Sequence, residues 1–126
     1  MITMNGDTKI KTLTKAELHL MNILWDKERA TVQELHDVLE DPKPAYTTTL
    51  TVMQVLTKKG IVGFEKVGKA NVYHPIMQRE NYVKGFLEET RNTLFKGSIK
   101  NFLLFFAQHE KISRDEMEAI LRLMSD

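Results

Sequence analysis

The sequence contains no cysteine. That removes disulfide frameworks, thiolate metal sites, thiol nucleophiles and thiol redox switches. Long apolar runs are also missing: the longest is Phe102 to Ala107, far short of the roughly 18 apolar residues that span a bilayer. The segment from Met1 to Lys11 carries Asn5, Gly6 and Asp7 and lacks the apolar core of a signal peptide. The expectation is a soluble, cytoplasmic protein with no membrane insertion. Enzyme motifs are absent as well, since there is no HExxH pair, Gly-rich phosphate loop or GxSxG elbow. His19, His36, His74 and His109 are scattered, so they read as surface or packing residues, and no catalytic residue, metal ligand or cofactor is expected. Finally, charge of one sign is lacking: 18 Lys and Arg stand against 17 Asp and Glu, a net +1. Taken whole, that balance argues against nucleic acid as a partner, because DNA-binding domains are commonly basic.

What is present is helical patterning in a chain of 126 residues, the size of one compact unit or of a small domain with an appendage. A hydroxyl residue followed three positions later by Glu occurs at Thr14/Glu17, Thr31/Glu34 and Ser113/Glu116. This is the capping box, in which the hydroxyl and the carboxylate each accept from a backbone N–H at the helix start. Apolar residues then recur at helical spacing, at Leu18, Met21, Leu24 and Trp25 and again at Val32, Leu35, Val38 and Leu39. Pro42 and Pro44 interrupt the second helix. A third helix is expected from Tyr46 to Lys59, ending at Gly60. Its Thr and Val content favours a strand, but Thr49, Val52 or Met53, and Leu56 form one helical face, and Lys58-Lys59-Gly60 reads as a helix end.

Between Ile61 and Ile76 the pattern becomes a β-hairpin with a basic tip around Gly68-Lys69-Ala70. Three helices followed by a hairpin is the order of a winged helix-turn-helix. The expected division is a flexible tail over 1–12, a winged-helix domain over 13–77 and a helical domain over 78–126. Five of the six phenylalanines fall in that last segment. Fewer than about 60 residues bury too little surface to hide such side chains, so the expectation is a homodimer held by Phe86, Leu94, Phe102, Phe106 and Leu121. The fold class is mainly α.

The net charge conceals a division. Residues 12–42 carry three cations against seven anions, a net −4, while residues 43–75 carry Lys43, Lys58, Lys59, Lys66 and Lys69 against Glu65 alone, a net +4. The local patch, not the total, attracts phosphate. Candidate phosphate contacts are Tyr46, Lys43, Lys58, Lys59 and Lys69. Candidate base readers on the open face of the third helix are Thr47, Thr48, Leu50, Thr51 and Gln54. Threonine can exchange hydrogen bonds with base edges, Gln can grip adenine through two bonds, and Leu50 or a Thr methyl can pack on a thymine methyl.

The ordered set Leu13-Thr14-Lys15-Ala16-Glu17, Met21-Asn22-Ile23-Leu24-Trp25, Tyr46-Thr47-Thr48-Thr49-Leu50, Leu56-Thr57-Lys58-Lys59-Gly60 and Gly68-Lys69-Ala70-Asn71-Val72-Tyr73 resembles the penicillinase repressors of the BlaI/MecI type. The resemblance covers residues 13 to 124. It implies a winged-helix repressor that binds a palindromic double-stranded DNA operator as a dimer and regulates β-lactam resistance genes. Base reading by the start of the third helix carries over to Thr47, Thr48, Leu50 and Thr51. Where the family often has Arg before the last helical Leu, this chain has Val55. The resemblance also implies release by cleavage in the C-terminal domain, set off by a membrane-bound sensor protease. The matching bond is Phe105-Phe106, where the best-known members have Asn-Phe. Related copper-responsive repressors carry a cysteine-rich motif for which this chain has no residues. The competing reading is a winged-helix interaction module whose basic face meets an acidic protein partner.

Overall fold

The computed structural model describes residues 13–109 and 112–124, without the side chains of Leu121 and Met124. The expected N-terminal tail over 1–12 and the role given to the Leu121 side chain lie outside the described residues. The elements are α1 (Lys15–Lys27), α2 (Val32–Asp37), α3 (Tyr46–Lys58), β1 (Val62–Val67), β2 (Ala70–Pro75), α4 (Arg79–Leu94), α5 (Ile99–His109) and α6 (Arg114–Met124). This is the winged-helix order followed by further helices. The chain separates into two compact units that meet between Phe86 and Leu87, inside α4.

All three capping boxes form. Thr14 Oγ1 accepts from the Glu17 N–H at 3.1 Å and Glu17 Oε1 accepts from the Thr14 N–H at 2.9 Å. Thr31/Glu34 and Ser113/Glu116 repeat the arrangement at 2.8 to 3.1 Å. Each box satisfies two amides that a helix start would otherwise leave open. The second helix is shorter than its apolar spacing predicts. The Leu39 N–H donates to the His36 carbonyl three residues back, a tightening that ends α2 at Asp37. Leu39 turns into the core and Val38 is left 50% exposed, so Val38 is not part of the buried stripe expected from spacing.

The third helix forms in spite of its β-branched composition. Thr51 and Thr57 donate their hydroxyls to the carbonyls of Thr47 and Met53, four residues back, each at 2.8 Å, which gives each hydroxyl proton a partner within the helix. At its end Gly60 takes φ +76°. The Gly60 N–H then donates to the Thr57 carbonyl and the Ile61 N–H to the Leu56 carbonyl, both at 3.0 Å, the paired closure that requires a left-handed residue. The chain turns directly into β1.

The hairpin pairs Val62 with Pro75 through Val67 with Ala70. Its two-residue turn places Gly68 first, at φ +63°, the arrangement that suits the twist of the strands. Tyr73 exchanges two backbone hydrogen bonds with Ala30, at 2.7 and 3.0 Å, so the wing is stitched to the α1–α2 connection. The core below consists of Leu20, Met21 and Leu24 of α1, Leu35 of α2, Met53 and Leu56 of α3, Val62 of β1 and Tyr73 of β2. Tyr82 from α4 joins it, and its Oη accepts from the buried Leu13 N–H at 3.1 Å.

In the second unit, Phe95 packs on Phe102 and Phe105, with ring centroids 5.2 and 5.7 Å apart. No residue of α5 is fully buried. Leu94, Ile99, Leu104, Phe105, Phe106, Ile120 and Leu123 are all exposed. Among the described residues, no helix is long and apolar enough to cross a membrane.

Leu56 is fully enclosed, so Leu56→Ala should destabilise the protein by about 2–5 kcal/mol. Thr31→Ala, which removes only a cap, should cost about 1 kcal/mol. Urea denaturation followed by the fluorescence of Trp25, the sole tryptophan, checks that order; equal losses would contradict the assigned core.

Candidate nucleic-acid interface

The third helix divides cleanly into two faces. Thr49, Met53 and Leu56 are buried, while Tyr46, Thr47, Thr48, Thr51, Gln54, Val55 and Lys58 are exposed. Thr47, Thr48, Thr51 and Gln54 therefore stand on the open face expected for base readers. Leu50 differs: it is half-buried and packs against the core, so only part of its side chain remains for a partner. Thr51 has its hydroxyl proton engaged with the Thr47 carbonyl, which leaves its methyl group and an acceptor outward. Among the described residues the side chains of Thr47, Thr48 and Gln54 make no hydrogen bond. Thr48 also borders a cleft of about 260 Å³ walled by Ala16, Leu20, Leu39, Pro44 and Val52.

Both ends of α3 are fixed by side chains from other helices. Near its start, the Thr49 hydroxyl shares a 2.9 Å hydrogen bond with Nδ1 of His36 on α2. The ring of Tyr46 meets His36 edge-on at 5.6 Å. The residue before α3 is Ala45, which offers no side-chain cap, and the first turn has no acidic residue. Its leading amides thus present the partial positive charge of a helix N-terminus without a protein anion to neutralise it.

The lysines are less uniform than their sequence clustering suggests. Lys59, an expected phosphate contact, instead donates to Glu17 Oε2 of α1 at 2.7 Å. The pairing ties the end of α3 to the start of α1. Lys43 donates to the Asp37 carbonyl at 2.9 Å, so its ammonium rests on the C-terminal end of α2, where a cation is favoured. Lys58, Lys66 and Lys69 are exposed and enter no ion pair among the described residues. Lys66 lies on β1 with Lys69 at the adjoining turn, within the hairpin expected from the sequence, although only Lys69 is expected to contact phosphate. Glu65, the lone anion of the basic half, lies 3.9 Å from Arg29.

Glu17 is the residue whose second role the sequence does not disclose. Its side chain is only 5% exposed. Burial by itself pushes its pKa up, but the hydrogen bond from Lys59, the Thr14 amide and the Lys59 charge together outweigh burial and hold the carboxyl below its ordinary value of 4.5.

A family model described as penicillinase repressor matches residues 13–126. The methicillin resistance regulatory protein MecI of Staphylococcus aureus is 25% identical over 120 residues, covering 94% of this chain and 98% of the relative. The transcriptional regulator BlaI of Mycobacterium tuberculosis is 31% identical over 121 residues, covering 94% and 86%. Among solved structures, that of the DNA-binding domain of the repressor BlaI superposes with a TM-score of 0.52 at 28% identity. It covers 60% of this chain and 93% of that domain.

The depressed Glu17 pKa gives stability a pH signature. A carboxyl held below its unfolded value contributes fully above that value and loses the contribution as pH falls through the folded one. The stability advantage of the native chain over Glu17→Gln, which keeps the capping acceptor and removes the charge, should be largest near neutral pH. It should shrink as pH drops below 4.5, as urea midpoints from pH 7 downward would record. A constant difference across that range would contradict the pairing.

Proposed function

The chain belongs to the penicillinase repressor family, and from that premise we propose that it is a transcriptional repressor which binds a palindromic operator as a homodimer. The observation that carries the reading is the open, polar face of α3 opposite a stripe that the core holds fixed. A helix of this kind fits the major groove, and short hydroxyls with one amide match the donor, acceptor and methyl pattern of base edges. Thr47, Thr48, Thr51 and Gln54 read bases, with the exposed edge of Leu50 against a thymine methyl. Tyr46, Lys43 and the uncapped amides of α3 meet one stretch of phosphates, since a helix N-terminus attracts such anions. Lys58 and the wing lysines Lys66 and Lys69 meet others. Lys59 keeps α3 in place through Glu17.

Exposed Phe86 at the end of the first unit and exposed Leu94 and Phe106 in the second support the homodimer, with half-buried Phe102 beside them at the contact and Leu121 joining them on sequence grounds. Two-fold protein symmetry then demands two operator half-sites. Membership in the family supports regulation of β-lactam resistance genes and release by a sensor protease as parts of the same reading. Cleavage at Phe105-Phe106 would cut the middle of α5, next to Phe102 and Phe106 of the dimer contact.

A duplex selected by the protein from a randomised pool tests the reading. Its log K should fall linearly with log salt, and Lys58→Gln or Lys69→Gln, each lost twice per dimer, should each reduce the slope by about 1.8 while leaving sequence preference intact. Thr47→Ala or Gln54→Ala should instead relax base discrimination by roughly 1–3 kcal/mol. Equal affinity for the selected duplex, unrelated duplexes and an acidic polypeptide would overturn specific repression in favour of an interaction module for acidic proteins.

A further inference from the structure

The cleft bordered by Thr48 lies wholly within the first unit and follows from local features of the sequence. Helix α2 ends at Asp37, and the chain crosses to α3 through Pro42 and Pro44 without forming another helix. The side chains that α1 and α3 turn toward this crossing are short, Ala16 on one side and Thr48 and Val52 on the other. A gap is left between them. Leu20 and Leu39, both buried, form its inner wall, and Thr49 beside them is held by His36 at 2.9 Å. The space amounts to about 260 Å³, whereas close-packed interiors leave few voids larger than a water molecule. A cavity of about 150 Å³ holds benzene, so this one takes roughly ten non-hydrogen atoms, the size of a fused ring pair or a branched aliphatic body.

The charge along the cleft has one sign. Glu40 lines it, and none of its lining residues is Lys or Arg. Lys43, close in sequence, is turned to the Asp37 carbonyl at 2.9 Å. Glu40 itself is exposed and enters no ion pair among the described residues. An apolar wall with a polar group placed at its edge is the composition of a small-molecule site. An acid would meet Glu40 as a like charge, and a wholly apolar molecule would leave the carboxylate unused, but an amine can donate a charge-assisted hydrogen bond to it. We propose that the cleft binds a small organic amine, its aromatic or branched apolar body against Leu20, Leu39, Pro44 and Val52 and its ammonium at Glu40, and that this ligand excludes the operator. Exclusion rests on the repressor reading, in which Thr48 reads a base. Thr48 borders the cleft and also stands on the open face of α3, with its hydroxyl unbonded among the described residues. A molecule lying against it takes the group and the room that a base edge needs. The coupling is reciprocal, so the operator weakens amine binding by the factor by which the amine weakens operator binding.

The experiment titrates tryptamine, indole and indole-3-propionate, which share a ring system and differ in charge, into the full chain and follows amide NMR shifts. Tryptamine should shift the amides of Ala16 to Leu20, of Leu39 and Glu40 and of Thr48 to Val52, with a Kd below about 1 mM for a ligand of its size. It should bind about tenfold or more tightly than indole-3-propionate. Glu40→Gln should weaken tryptamine by about fivefold or more and change indole by less than about twofold. Ala16→Phe, which fills the α1 side of the space, should abolish binding of all three probes in a chain whose amide spectrum keeps its native dispersion. Saturating tryptamine should lower the affinity of the native chain for its selected duplex by about fivefold or more and that of Ala16→Phe by less than about twofold, which separates occupation of the cleft from any action of the amine on DNA. Absence of shifts at the cleft, or equal binding of amine and acid, overturns the site and leaves the repressor reading intact. Binding in the cleft that leaves operator affinity unchanged overturns exclusion. A chain that selects no duplex yet binds tryptamine in the cleft overturns the repressor reading and exclusion with it, while the amine site stands.

Discussion

The burial of Thr49, Met53 and Leu56 along one side of α3 is the contact on which the rest of the arrangement depends. Without it, a segment rich in threonine and valine would have no reason to be a helix, and its polar residues would have no fixed direction. Leu20, Met21 and Leu24 from α1 and Leu35 from α2 supply the apolar surface that receives it. His36 then bonds the one buried hydroxyl of the stripe, and Lys59 reaches Glu17 at the far end. A buried hydroxyl without a partner would cost about 1–3 kcal/mol, so the bond between His36 and Thr49 removes a penalty at the point where the helix must be placed most accurately. Held on one side and pinned near both ends, α3 can leave its other side open.

Electrostatics follows from that division of labour. The acidic half of the winged-helix unit contains α1 and α2, which support, and the basic half contains α3 and the wing, which face outward. A total near zero is what such an arrangement produces when support and interface carry opposite charge. The ion pair between Glu17 and Lys59 crosses the two halves, and it converts one cation of the basic half into a structural group. Charge counting along the sequence overstates the free positive surface by at least this residue.

Local chemistry was legible in the sequence because it is local. The three capping boxes, the closure at Gly60 and the turn at Gly68 each involve residues within a few positions of one another, and the structure forms all of them. The open face of α3 was legible for the same reason, through helical period alone, apart from Leu50, whose half-burial depends on neighbours from the core. Contacts between distant residues were not legible. Glu17 and Lys59 are 42 positions apart and Trp25 and Met77 are 52 apart, and no periodicity marks either pair. The early end of α2 is equally unmarked in the sequence, since Val38 fits the helical spacing and only the inward turn of Leu39 excludes it.

Apolar side chains that α4, α5 and α6 leave exposed within one chain and the polar face of α3 both support the proposed account, in which two copies would associate and present two reading helices to a symmetric site. Hydroxyl-radical footprinting of the full chain on its selected duplex, with the stoichiometry of the same complex measured by sedimentation, tests this most directly. The account predicts two chains per duplex and protection related by a two-fold axis, with half-sites separated by whole turns of about 10 to 10.5 base pairs. One chain per duplex with a single, asymmetric patch of protection would contradict it.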